Sequence, residues 1–230
     1  MTPRRVCAIH QPNLFPRLST LAKIHAADRW IVYDDVQHAA RDYQHRCLLP
    51  DPVDPTRHRW LTLPVHRPQG RATLIRDLRL VDPRASRQRA EGMLRHHYGR
   101  NPYWADVEPA IDEILQLLTQ TAHLAEIAEA STRTLLRLLD WQGTALRSSE
   151  TTARGGRSER LARLTVEAGC DTYLYGIAGG RYMDFAIFET EDVLTRPAKA
   201  PPCVGSWRES ALSTLTTIGV TEATKRLRAT

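Results

Sequence analysis

The segment His10-Gln11-Pro12-Asn13-Leu14-Phe15-Pro16 sets an imidazole and two carboxamides between two prolines. Histidine exchanges protons near neutral pH and is the commonest general base. Gln11 and Asn13 can orient a carbonyl or carboxylate. Proline fixes its own φ and drives the preceding residue toward extended backbone, so these side chains are held stiffly. A second group is Asp34, Asp35 and Gln37. Carboxylates there could bind a metal, meet a ribose hydroxyl, hold a substrate amine or orient the histidine. Neighbouring residues of a strand point to opposite faces, so one of the two acids is expected to face a site. Arg41, Gln44 and Arg46 form a third group, with guanidinium forks suited to carboxylate or phosphate. The glycine-rich stretch 176–180, with Tyr175 before it and Arg181, Tyr182 and Asp184 after it, is a fourth. Glycines let a backbone approach an anion, but the lysine of a P-loop and the spacing of a dinucleotide fingerprint are missing.

Cysteine offers less. Cys47 beside Arg46 is a candidate nucleophile through a lowered pKa. Cys7 and His10 are three apart in a strand and face opposite sides, which disfavours a dyad. Cys7, Cys47, Cys170 and Cys203 are scattered, with no C-x-x-C pair, so free thiols are expected and no metal site.

Each group also has a plainer reading, as a self-bonded loop, a helix cap or a solvated polar face. The elements around them decide. Residues 5–10 read as a strand, Leu18–Ala27 as a helix and 28–33 as a second strand. Strand, helix and strand with short links make a βαβ unit, whose strands are parallel neighbours. His10-Gln11 and Asp34-Asp35 then fall on one carboxyl edge, where α/β sheets place ligands. Further strands are expected at 60–65, at 74–81 and at 170–175. Helices are expected at 87–98, around Pro109 as a first-turn proline, at 122–139, from a Ser158 cap to Gly169, and as one unit from Ser210. The fold class is therefore α/β, a parallel, Rossmann-like sheet with a largely helical segment at about 87–142, in one domain over 1–230.

Composition fits a globular chain, with 42% hydrophobic and 25% charged residues among 230. No apolar run reaches membrane-spanning length, and the start does not read as a secretory signal. A cytoplasmic location is expected. A net charge of +6 favours anionic partners. Without dense basic runs or aromatic–basic interleaving, nucleic acid is not expected as a partner. Lysine is scarce, at 23, 199 and 225 only, which limits mechanisms that need one.

The series H-Q-P-N-x-x-P at 10–16, D-D-V-Q at 34–37, R-x-x-Q-x-R at 41–46, W-L-T-L-P-V at 60–65, Y-G-R-N-P-Y-W at 98–104, S-E-R-L at 158–161, D-T-Y-L-Y-G at 171–176 and Y-M-D at 182–184 resembles the WbqC-like family over nearly the whole chain. The chain departs from the family pattern at Leu14 to Arg17, at Tyr175 and at Ser213. Members look like bacterial proteins encoded among O-antigen or natural-product genes. The resemblance implies a transferase of acyl or aminoacyl groups, of glycyl type, forming an amide or ester. It falls on His10, Gln11, Pro12, Asn13, Asp34, Asp35, Gln37, Arg41, Gln44, Arg46, Tyr175, Gly176, Tyr182 and Asp184. In that reading His10 is general base and Asp34 or Asp35 orients it or holds the acceptor ammonium. Arg41 and Arg46 bind a carboxylate or the phosphate of phosphopantetheine, and the glycine loop donates N–H groups. No resident cofactor is expected. The partners are a small-molecule acceptor and an acyl carrier protein bearing a phosphopantetheine-bound donor. Two alternatives are a HIGH-like nucleotidylyl transferase or ATP-dependent ligase, and a non-catalytic module that binds a small molecule or carrier protein.

Overall fold

The computed structural model describes residues 4–54 and 56–229. It opens with the expected unit: strand β1 (Val6–His10), helix α1 (Leu18–His25) and strand β2 (Arg29–Val32). β1 and β2 are parallel, with His10 opposite Val32. Two antiparallel pairs follow, β3 (Arg46–Pro50) with β4 (His58–Thr62), and β5 (Val65–His66) with β6 (Arg79–Leu80). Helices α2 (Pro83–Tyr98), α3 (Trp104–Gln120) and α4 (Leu124–Leu138) lead to β7 (Thr144–Arg147). Then come α5 (Arg157–Glu167), β8 (Thr172–Tyr175), α6 (Ile177–Gly180), α7 (Phe185–Thr190), β9 (Leu194–Pro197), α8 (Leu212–Ile218) and α9 (Val220–Arg228).

Five strands form one parallel sheet in the order β7-β2-β1-β8-β9. Its central strands are buried on both faces, as parallel strands between helices must be. Ala8, Trp30 and Val32 face the larger core, with Leu21 and Ile24 of α1 and Leu135 of α4. Cys7, Ile9 and Ile31 face the smaller core, with Ala162 and Leu164 of α5 and Phe188 of α7. Each large apolar side chain so buried contributes about 1.5–3 kcal/mol. The chain runs outward from β1 through β2 to β7, then returns past β1 to β8 and β9. The direction of winding reverses between β1 and β8.

Several elements differ from the sequence reading. β7 and β9 were not anticipated; both are edge strands of four residues, and β9 ends at Pro197. The stretch 74–81 is a 3-10 turn at Ile75–Asp77 followed by the two-residue β6. Pro109 lies inside α3, which begins at Trp104, so it is not in the first turn. Ser158 sits inside α5 and does not cap it; Gly156 precedes the helix, and its N–H donates to Glu159 Oε2 at 3.0 Å. The C-terminal helix is two helices parted by Gly219 at φ +82°, a backbone that favours glycine.

The C-terminal segment returns to the start of the chain. Arg17 and Ser210 form an antiparallel bridge, and the Ala211 N–H donates to the Pro16 carbonyl at 2.8 Å. Among the described residues no helix is long and apolar enough to cross a membrane.

Candidate functional site

β1 and β8 part company near their carboxyl ends. Their pairing runs from Val6–Thr172 to Ala8–Leu174, whereas β1 and β2 stay paired through His10–Val32. Along β1 the carbonyls alternate sides: Val6 and His10 accept from the β2 side, and Arg5 accepts from Asp171 and Thr172. The Ile9 carbonyl therefore points to the β8 side, past the last paired residue. Lys23 Nζ, reaching over from α1, donates to it at 2.8 Å. A buried carbonyl needs a donor, and here an ammonium supplies it. Burial and, more weakly, Arg17 push the Lys23 pKa down to about 7.

His10 is the next residue. Its Nδ1 lies 2.8 Å from the Gln11 carbonyl. A carbonyl only accepts, so Nδ1 carries the hydrogen and Nε2 the lone pair. Burial, then Lys23, then Arg17 lower its pKa to about 3, against a smaller upward pull from the Gln11 carbonyl. The ring is neutral at physiological pH. The following loop is anchored on both sides. The Leu14 N–H donates to the Tyr43 carbonyl at 3.0 Å, and the Phe15 N–H donates to Ser131 Oγ at 2.8 Å. Phe15 sits at φ +42°, which is uncommon for a bulky residue and costs about 1–2 kcal/mol. Burial of its ring and the bond to α4 hold it there.

Arg17 precedes α1. Its guanidinium lies 4.6 Å from the Tyr43 ring centroid and 5.8 Å from that of Trp207. Tyr43 packs on Trp60 at 5.6 Å, and Arg46 lies 4.1 Å over the far ring. The series Trp207, Arg17, Tyr43, Trp60, Arg46 thus fixes Arg17 by stacking. The Arg17 Nε is buried without a hydrogen-bond partner.

These groups open onto a cleft of about 770 Å³ at the reversal point between β1 and β8, the place where open α/β sheets bind ligands. His10, Gln11, Arg17 and Lys23 line one side. Tyr33, Arg157, Gly176, Arg181, Lys199 and Trp207 are among the residues lining the rest. Five of the lining residues are Arg or Lys, and none is Asp or Glu.

The expected site residues divide. His10, Gln11 and Gly176 line the cleft. Gln44 is buried behind it and donates through Nε2 to Gln11 Oε1 at 2.8 Å, so it acts on the cleft through Gln11. Asn13 is buried in the anchored loop, where its carbonyl accepts from Thr132 Oγ1 at 3.1 Å. Tyr175 packs edge-on against Phe185, and Gly180 is required beside it: a Cβ there would lie 2.6 Å from the Tyr175 ring.

The acids sit elsewhere. Asp34 is buried and accepts from the Ser149 N–H at 3.0 Å and Ser149 Oγ at 2.7 Å. Ser148 Oγ lies 2.5 Å from Asp35 Oδ1 and 3.1 Å from Asp34 Oδ1. Arg160 pairs with the other oxygen of Asp35. Neither acid is among the cleft-lining residues. Their carboxylates tie β2 to the turn after β7 and to α5, in place of the expected contact with His10.

The remaining expectations give way to local bonding. Arg46 donates to the carbonyls of Arg41 and Asp42 and stacks on Trp60, and Arg41 is exposed. Gln37 donates to the Arg71 carbonyl. Asp184 accepts from the Ala186 N–H at 3.2 Å and caps α7, and Tyr182 lies under Arg157. Cys47 is buried opposite Leu61 in the β3–β4 pair, and burial raises its thiol pKa, which is the reverse of an activated nucleophile.

Arg181, expected beside the glycine loop, lines the cleft, whereas sequence reasoning passed over Lys23, Arg17, Arg157 and Trp207. Lys23 carried a usable signal, a lone cation between Ala22 and Ile24 on the short apolar helix of the βαβ unit. The others come together only through tertiary contacts. Among the described residues, no three His, Cys, Asp or Glu side chains gather into a metal-binding group.

A family model, the WbqC-like protein family, matches residues 11–201. An uncharacterized protein of Mycobacterium tuberculosis is 24% identical over 185 residues, which is 79% of this chain and 77% of that one. No solved structure matches the chain.

Proposed function

This chain belongs to the WbqC-like protein family, and from that premise we propose that it is a biosynthetic transferase that moves an acyl or aminoacyl group onto an amine or hydroxyl. Family membership supports a biosynthetic enzyme. The reaction is our reading of the cleft. The observation that carries it is a neutral His10 that lines a cleft on the sheet's carboxyl edge, with its Nδ1–H tied to the Gln11 carbonyl and its Nε2 lone pair therefore uncommitted.

In this reading the acceptor's N–H or O–H meets His10 Nε2. Its lone pair attacks the acyl carbon of a thioester as the proton moves to the imidazole. The carbon–sulfur bond then breaks, and the proton returns to the departing thiolate. A base with a pKa of about 3 is weak in the empty cleft. An anionic group bound beside Arg17 and Lys23 would cancel their repulsion of the imidazolium and raise the basicity of His10 as substrate enters. Lys23, poised at about 7, supplies a second proton-exchanging group. With no carboxylate lining the cleft, an acceptor amine is best received neutral, since nothing there answers an ammonium. Asp34 and Asp35 support the edge without touching substrate.

The test is to incubate the purified chain with aminoacyl carrier proteins and a pool of amine acceptors and to follow intact mass. Loss of the acyl group from the carrier with appearance of an amide, absent in His10→Ala, supports the reading. Undiminished function in His10→Ala would favour the binding module. The cationic cleft would also suit a nucleotide, so ATP-dependent pyrophosphate release would favour nucleotidylyl transfer. The absence of cleft carboxylates, which commonly share the Mg²⁺ of such reactions, makes acyl transfer the better fit.

A further inference from the structure

The cleft gathers positive charge without a lining acid: five of its residues are Arg or Lys and none is Asp or Glu. Some arginines elsewhere meet acids: Arg163 meets Glu159 and Glu191, Arg133 and Arg147 share Glu129, and Arg226 meets Glu222. Arg17, Arg157, Arg181 and Lys199 line one cleft, and among the described residues they form no ion pair. Arg17 and Arg157 lie over aromatic rings, which leave guanidinium edges available for an anion. A fifth cation, Lys23, stands at the floor, held to the Ile9 carbonyl.

Such one-sided charge in a concave site concentrates anions. A carboxylate carries one charge and is met by a single guanidinium fork. A phosphoryl group carries about −1.5 to −2 and three acceptor oxygens, which matches a cleft lined by several cations. Trp207 lines the same cleft beside Arg17 and is 65% exposed, so a broad apolar face adjoins the cationic region with little covering it.

We propose that the cleft binds a small organic phosphate ester, with Arg17, Arg157, Arg181 and Lys199 receiving the phosphoryl group and Trp207 the organic part. This rests on the acyl-transfer reading only in placing ligand and His10 in one cleft. It names a chemical class for whichever substrate occupies it.

Calorimetric titration with phenyl phosphate, inorganic phosphate and benzoate tests the idea without requiring turnover. Phenyl phosphate is expected to bind about tenfold or more tightly than benzoate and more tightly than inorganic phosphate, with affinity falling as salt rises. Arg181→Met and Lys199→Met alter exposed side chains and should each weaken phenyl phosphate about threefold or more. Trp207→Ala should remove the advantage over inorganic phosphate. Benzoate binding as well as phenyl phosphate, no binding by any probe, or unchanged affinity in both cation variants would overturn the proposal. Inorganic phosphate binding as tightly as phenyl phosphate would overturn the organic-ester assignment. Phosphate binding with no acyl transfer would sink the transferase reading alone, and transfer without phosphate binding would sink this one alone.

Discussion

Two neighbouring strands end on the same edge of the sheet with opposite surroundings. At the end of β2, Asp34 and Asp35 are enclosed by Ser148, Ser149 and Arg160, and their carboxylates have protein partners. At the end of β1, the neighbour on the other side has turned away. Lys23 fills the vacant donor position, and His10 and Arg17 face a cleft. A polar strand end becomes a site where strand pairing stops short of it and leaves room. Where β7 stays paired with β2 as far as Arg147 opposite Val32, the turn beyond folds directly onto the acids. Both ends hold ionisable groups, but only the β1 end retains unsatisfied capacity.

The sharpest way to break this contrast is His10→Ala. Turnover should fall a hundredfold or more, in the range general bases contribute, while the urea unfolding midpoint stays near the parent's. A large fall in that midpoint would make His10 a structural residue. Asp34→Ala should do the reverse. Removing a buried carboxylate with several partners should cost about 2–4 kcal/mol of stability in equilibrium unfolding, with transfer per folded molecule nearly unchanged. If the Asp34 variant stayed stable and lost turnover, the acids would belong to the chemistry after all.

Acid titration sharpens the contrast further. The folded-state pKa of His10 lies near 3, below its ordinary 6.5. The unfolded chain therefore binds the extra proton across that window, and stability should decline as pH falls through it, by less than about 1.4 kcal/mol per pH unit for one partly screened group. His10→Gln should flatten that part of the stability profile. The smallest expected effect is at Cys47. Iodoacetamide should leave it unmodified in the folded chain at neutral pH, read by peptide mass. Rapid loss of activity with alkylation at Cys47 would reopen its nucleophile role.

The sequence made the β1–α1–β2 unit legible because its links are short and its apolar runs clear, and with it the placement of His10 and Asp34 on one edge. It did not reveal β7 or β9. Thr144-Ala-Leu-Arg and Leu194-Thr-Arg-Pro are brief, partly exposed and poor in β-branched residues, so their pairing depends on the sheet already being there. The choice between the two polar ends was illegible for the same reason, since it turns on where β8 stops following β1. Adjacent acids looked chemical by type. Their serine and arginine partners lie far along the chain, at 148, 149 and 160, and no local pattern announces them. Lys23 was counted as a scarce residue when its position inside an apolar helix was the better clue.

The bridge between Arg17 and Ser210 also sets an order of events during synthesis. The residues of one wall of the cleft, Arg17 and Lys23, leave the ribosome well before the segment bearing Trp207. At about 5–20 residues per second, on the order of ten to forty seconds separate the two. Through that interval Arg17 and Lys23 exist without the rest of their cleft, and the nascent chain carries a half-built cationic surface exposed to the anions around it. The wall bearing Trp207 is thus added only after all five strands of the parallel sheet have been translated.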